Sequence, residues 1–166
     1  HLRIYAKVYL EGSLMRSNNA TGPNGKPLMR DNLRNSPFTG LNYIPRHDPY
    51  KIPTQFTNLS SKFLHYGAGL SNDYLTIPDS LSIFSVEDHN AIVDWVFVEL
   101  RAKSNYNMLL ATRSGLLQRD GDIIDIDGQS GLEFPGIRKD SVYIVVRHRN
   151  HFGKKKKKVA VKNMID

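Results

Sequence analysis

The chain contains no cysteine, so any reactive or metal-binding group must be built from carboxylates, imidazoles, amines and hydroxyls. A thiolate metal site, a cysteine nucleophile and a disulfide framework are excluded. The densest ionisable stretch is Asp120-Gly121-Asp122-Ile123-Ile124-Asp125-Ile126-Asp127-Gly128. Asp120, Asp122, Asp125 and Asp127 are hard oxygen ligands of the kind Ca²⁺ takes, and the glycines permit tight turns. The EF-hand spacing is not met: matching Asp125 and Asp127-Gly128 to it puts Ile123 at the first ligand position and Phe134 at the twelfth. In an alternating strand Asp125 and Asp127 share a face and Asp122 points away. The competing reading is two Asp-Gly hairpin turns with a solvated strand face between them. Calcium is the one cofactor the residues suggest.

The histidines give less. His148 extends the Val142, Ile144, Val146 face of a strand and His151 lies past its end. Structural zinc sites are usually closed by four ligands, and two histidines three apart at a strand end match poorly. Hydrogen bonding between strands by a His/Arg cluster is the plainer reading. His47-Asp48 and Asp88-His89 have no spacing that makes them converge. Nucleophile motifs are missing as well. Arg113-Ser114-Gly115 is not a G-x-S-x-G elbow, and Gly67-Ala68-Gly69 lacks a strand-to-helix context. Glu87, Asp88, Glu99 and Glu133 could furnish a carboxylate pair, but their separation is not readable from spacing. No catalytic residue is expected, and the chain reads as a non-enzyme. Asn19-Ala20-Thr21 and Asn58-Leu59-Ser60 are glycosylation sequons that matter only on a glycosylating export route.

Strands must position these groups. Leu2 to Leu10 alternates strictly, with Leu2, Ile4, Ala6, Val8 and Leu10 on one face and Arg3, Tyr5, Lys7 and Tyr9 on the other. Residues 13–80 hold seven of the eight prolines, too closely spaced for a long helix. Phe38, Tyr43, Tyr50, Phe56, Phe63, Tyr66 and Tyr74 argue that this stretch packs on a scaffold, since disordered segments are poor in aromatics. Regular strands begin near residue 82. Asn90–Arg101 puts Val93, Trp95 and Phe97 on one face and Val96, Val98 and Leu100 on the other, as in a sandwiched strand. Met108–Gln118 reads as strands interrupted near Gly115. Asp120-Gly121 suits a two-residue hairpin turn, Asp122–Asp127 a short strand, Leu132–Phe134 an extended piece and Ser141–Arg149 a clear strand. No amphipathic helix of three turns is present. The pattern predicts an all-β, antiparallel β-sandwich. It forms a single domain over 1–166, with an N-terminal strand (1–12), a loop-rich excursion (13–80), a sandwich core (81–152) and a C-terminal strand (153–166).

Lys and Arg number 23 against 16 Asp and Glu, giving +7, but five of those lysines are Lys154–Lys158, and without them the charge is +2. The basic character is local, and no stacking aromatics interleave with the lysines, so nucleic acid is not an expected partner. No apolar run approaches the roughly 18–20 residues of a membrane span. The opening at His1, inside a strand, fits a leader already removed.

Several long motifs occur in order: Lys7 to Gly12, Met29 to Arg34, Ile44-Pro45 with Asp48-Pro49-Tyr50, Asn90 to Arg101, Ala111 to Gly128 and Val146 to His151. Together they resemble a recurrent domain of large secreted, haemagglutinin-like surface proteins of environmental bacteria, often exported with a C-terminal sorting domain. From Trp95 onward the chain also looks like transthyretin-like and Cna-B-like sandwiches, which serve as stalk modules. It departs from the first pattern where Lys154 begins the lysine run. The resemblance implies an extracellular location at the bacterial cell surface and a structural or adhesive role. Together with the isolated N-terminal strand, it yields an expected mechanism. Leu2, Ile4, Ala6, Val8 and Leu10 would complement the sheet edge of another copy, building a filament, and Val159–Val161 could do the same from the other end; the equally open reading is that both strands pair within their own chain. The alternative is a carbohydrate-binding module using Tyr5, Tyr9, Tyr43, Tyr50, Tyr66, Tyr74 and Tyr106.

Overall fold

A computed structural model describes residues 2–14, 20–50, 75–138 and 141–149. They form seven strands: β1 (Leu2–Ile4), β2 (Ala6–Lys7), β3 (Ile92–Ala102), β4 (Leu109–Gln118), β5 (Asp122–Ile124), β6 (Leu132–Phe134) and β7 (Val142–Arg147). One short helix, α1 (Ser80–Ser85), precedes β3. Asp79 caps it, its side chain accepting from the Ser82 N–H at 3.1 Å. All strand pairs are antiparallel. One sheet runs in the order β2-β5-β4-β3-β7, and β1 and β6 form a second. The all-β expectation holds.

β3 is the axis. Every residue from Ile92 to Leu100 is buried, so both of its faces are covered. On one face Val96, Val98 and Leu100 pack in a cluster with Leu2 and Ile4 of β1, Leu132 and Phe134 of β6, and Val142 and Ile144 of β7. On the other, Trp95 and Phe97 join Leu116 and Ile124 under Ile44, Tyr50 and Ile77 of the excursion. The proline-rich stretch, as far as it is described, is thus a packed layer. Trp95 Nε1 donates to the Pro45 carbonyl at 2.8 Å, and the Tyr50 hydroxyl donates to the Trp95 carbonyl at 2.9 Å. Phe56, Phe63, Tyr66 and Tyr74 lie outside the described residues.

Three expectations are corrected in detail. Val93 packs with Val96 rather than with Trp95, because the pairing of β3 with β4 slips between Ile92 and Asp94. An extra residue at such a bulge reverses the alternation that follows. β4 is not interrupted at Gly115. The glycine pairs with Val96, and a Cβ there would stand 2.8 Å from Leu132 Cδ2 and 2.9 Å from the Ile124 carbonyl oxygen. The β4–β5 connection is longer than two residues. The Gly121 N–H donates to the Gln118 carbonyl at 3.0 Å and Gly121 has φ 93°, which fits a type I turn closed by a left-handed glycine.

Of the two readings open for the N-terminal strand, the described residues show pairing within its own chain. Leu2, Arg3 and Ile4 oppose Phe134, Glu133 and Leu132, while Ala6 and Lys7 oppose Ile123 and Asp122. Leu2, Ile4, Ala6 and Leu10 are buried, and Val8 is half-buried with its N–H donating to the Gly121 carbonyl at 2.8 Å. The segment changes sheets at Tyr5, beside Gly131. A Cβ on Gly131 would lie 2.5 Å from the Ile4 carbonyl oxygen. Gly131→Ala is therefore expected to cost about 1–3 kcal/mol, typical of overpacking, read as a lowered midpoint in urea unfolding. Val159–Val161 and the Lys154–Lys158 run lie outside the described residues.

Candidate functional site

Two acidic residues sit in the apolar run of β3, and both are buried: Asp94 and Glu99. A buried carboxylate is costly unless cations and hydrogen bonds surround it. Asp94, at the bulge, receives His148 Nε2 at 2.9 Å on Oδ2, Arg149 Nε at 3.1 Å on Oδ2 and Arg149 Nη2 at 2.8 Å on Oδ1. The Arg149 N–H donates to the Tyr50 hydroxyl at 3.1 Å. One cluster thus binds the end of β7, the bulge of β3 and the excursion. Burial works against the Asp94 charge, but His148 and Arg149 outweigh it and hold its carboxyl below the usual range. Burial, with the Asp94 charge adding to it, pushes the Tyr50 phenol far up. This is the interstrand His/Arg bonding anticipated for His148; His151 lies outside the described residues.

Further along the same sheet, Glu99 accepts from Arg101 Nε at 2.9 Å and Nη2 at 2.7 Å, and from Arg147 Nε on its other oxygen. Arg101 Nη1 donates to the Tyr106 carbonyl at 3.1 Å, and its guanidinium lies 5.2 Å from the centre of the Tyr106 ring. Tyr106 meets Tyr143 edge-on, with ring centres 5.6 Å apart. The two acids of β3 therefore grip β7 at Arg147 and just past its end. These contacts join strands: each carboxylate is surrounded by guanidinium groups or imidazole.

The acidic run is placed quite differently from a single loop of ligands. Asp120 and Asp122 share Lys7, at 3.3 and 2.8 Å. Asp125 pairs with Arg113, whose Nη2 donates to Oδ1 at 2.8 Å, and the same oxygen accepts the Ile126 N–H at 2.8 Å. Asp127 caps its own turn by accepting the N–H groups of Gln129 and Ser130 at 2.9 and 2.8 Å. Partial burial opposes its charge, but these bonds prevail and lower its pKa. Asp125 and Asp127 do not share a strand face, because β5 ends at Ile124 and residues 126–127 turn. Among the described residues no three His, Asp or Glu side chains are grouped to hold a metal ion. Two further acids are separately engaged: Asp88 accepts the Asn90 N–H at 2.7 Å, and Glu133 faces Arg3 at 3.6 Å. Asn58 and Asn19 lie outside the described residues.

Of the tyrosines proposed for sugar contact, Tyr5, Tyr43 and Tyr106 are exposed, Tyr9 is half-buried and Tyr50 is core. Tyr66 and Tyr74 lie outside the described residues. Phe38, which sequence reasoning took as a packing residue, is 95% exposed on the turn that Gly40 closes with φ 67°. Asp94 and Glu99 were not singled out together with Arg147 and Arg149. The available signal was two acids spaced five apart in an apolar strand, with arginines in a second strand. Comparison with protein-family models, with curated proteins and with solved structures found no match for this chain.

Asp94→Asn, which leaves the Arg149 guanidinium without its counter-charge, is expected to cost about 3 kcal/mol in urea unfolding. Because the folded pKa of Asp94 lies below its unfolded value, its contribution is complete above about pH 4 and is lost as pH falls through the folded pKa. The wild-type stability curve should therefore descend more steeply on its acid limb than that of the variant. Calcium titration followed by thermal unfolding is expected to leave the transition unmoved, since Lys7, Arg113 and the 127–130 turn already engage the four aspartates.

Proposed function

We propose that this chain is an extracellular structural or adhesive subunit of a bacterial surface, assembling by β-strand pairing. In this reading its two antiparallel sheets make a sandwich-like stalk module of the kind its sequence motifs resemble. One observation carries the proposal. β7 stands at the end of its sheet, with β3 on one side and no strand on the other among the described residues. It bears Val142, Tyr143, Ile144, Val145 and Val146 before its first charge, Arg147. Proteins that stay monomeric usually blunt such an edge with charge, proline or a bulge. Here the edge is apolar and held rigid by Glu99 and Asp94. The opposite end of the sheet, β2, is only two residues long. The acceptor edge is thus β7, and the N-terminal ribbon completes its own subunit.

Glycan binding is a second reading, favoured by the turn that presents Phe38, Leu41 and Tyr43 to solvent. Thr39 and Tyr43 hydroxyls lie 3.0 Å apart there, and residues 35–44 carry no charge, as a neutral sugar platform would require. A glycan array would reveal it through binding that Phe38→Ala abolishes.

The assembly reading is tested by sedimentation across a wide concentration range, with negative-stain microscopy of the same samples. Wild-type chain is expected to self-associate. Val145→Lys, which puts a charge on the partly exposed edge, should remain monomeric while changing stability by no more than about 0.5 kcal/mol. Wild-type monomers at every concentration would reject strand-mediated assembly.

A further inference from the structure

We propose that β7 is self-complementary and pairs two copies of this chain about a two-fold axis at Val145. The inference rests on the strand-pairing reading and names its partner and register. Every strand pair in the described sheets is antiparallel. Directly opposite residues of an antiparallel pair share a face. Along β7, Val142, Ile144 and Val146 pack with the core cluster that holds Val98 and Leu100, and Tyr143, Val145 and Arg147 alternate with them on the other face. If the core faces of two copies are to be continuous, odd residues must meet odd and even must meet even.

Every centring on a residue satisfies that rule, and side-chain chemistry selects among those near the middle of the strand. With Val145 against its own copy, Ile144 meets Val146 and Tyr143 meets Arg147, twice over by symmetry. The apolar row then runs unbroken across the junction. Each guanidinium lies across from an aromatic ring, a pairing that draws cations to the ring face. Centring on Ile144 sets Arg147 against Ser141, and centring on Val146 sets it against Val145; both lose the ring. Arg147 is already balanced in part by Glu99, so it enters the junction without bringing a bare charge. The two Arg147 residues sit at opposite ends of the paired segment and do not confront one another.

The N-terminal ribbon of another copy is the poorer occupant. Its outward residues include Arg3 and Lys7, which carry the same charge as Arg147 and are matched within their own chain to Glu133 and Asp122. A two-fold junction of β7 with β7 closes on itself and gives a dimer. Longer particles would then need a second contact elsewhere on the surface.

The cysteine-free sequence makes the test clean. Residues directly opposite in an antiparallel pair have Cα atoms about 4.5–5.5 Å apart, within the span a disulfide bridges. Single cysteines are placed in the full chain at Val145, at Tyr143 and, as an exposed hairpin control, at Ser104, and each protein is oxidised with diamide. Val145→Cys is expected to form a covalent dimer several-fold faster than Ser104→Cys. Tyr143→Cys should remain as slow as the control until mixed with Arg147→Cys, when the mixed dimer appears. Val145→Cys that cross-links no faster than Ser104→Cys overturns the register. If the wild-type chain nevertheless sediments as an oligomer, strand assembly survives and this junction alone fails; a wild-type monomer removes both.

Discussion

Two carboxylates inside a strand with no exposed face set the terms for the rest of this molecule. β3 needs apolar cover on both sides. It also carries Asp94 and Glu99 into a region where a lone charge is costly. Partners must come to them: guanidinium groups from Arg101 on the same strand and from Arg147 and Arg149 at and beyond the end of β7, with the His148 imidazole beside Asp94. Among the described residues β7 is the last element of the sheet. Apolar contacts alone would permit it to slide by two residues with its faces preserved. The ion pairs remove that freedom, because a slide would leave a buried acid unmatched.

The same logic governs the N-terminal ribbon. Arg3 stands opposite Glu133 and Lys7 opposite Asp122, each at a position where the register places the two residues directly across from one another. The N-terminal ribbon is short, broken at Tyr5 and divided between two sheets, so its backbone pairing is modest. Burial of Leu2, Ile4 and Ala6 supplies the attraction, and the charges specify which edge receives it. Ribbon and acidic run thus explain each other. Asp120 and Asp122 hold Lys7, and Tyr9 reaches over Gly121 to donate its hydroxyl to the Asp120 carbonyl.

Much of the β framework was legible because period-two alternation and Asp-Gly, Pro-Gly and Asn-rich turns are local signals. β3, β6, β7 and the turns at Gly121, Gly128 and Gly136 lie where that pattern puts them. The failures share a cause. The bulge near Val93 shifts faces by one residue, which no local pattern announces. Gly115 looked like a break because its role, making room for Leu132, depends on a residue seventeen positions away. α1 was missed because six residues following Pro78 carry too little periodicity. The ligand-like run around Asp120 was misleading for a related reason: carboxylates look alike in sequence whether they await a metal or already hold Lys7 and Arg113. Whether the N-terminal strand pairs in cis depended on its complement at Asp122 to Phe134, more than a hundred residues downstream.

That separation has a consequence for how the molecule is made. Leu2 pairs with Phe134, so this ribbon has no seat until the chain has been made through Phe134. At ordinary elongation speeds the wait is on the order of ten seconds. During that interval an alternating apolar segment is without its partner strands and open to any factor that escorts the nascent polypeptide. Biogenesis, more than the finished fold, is where this ribbon is vulnerable.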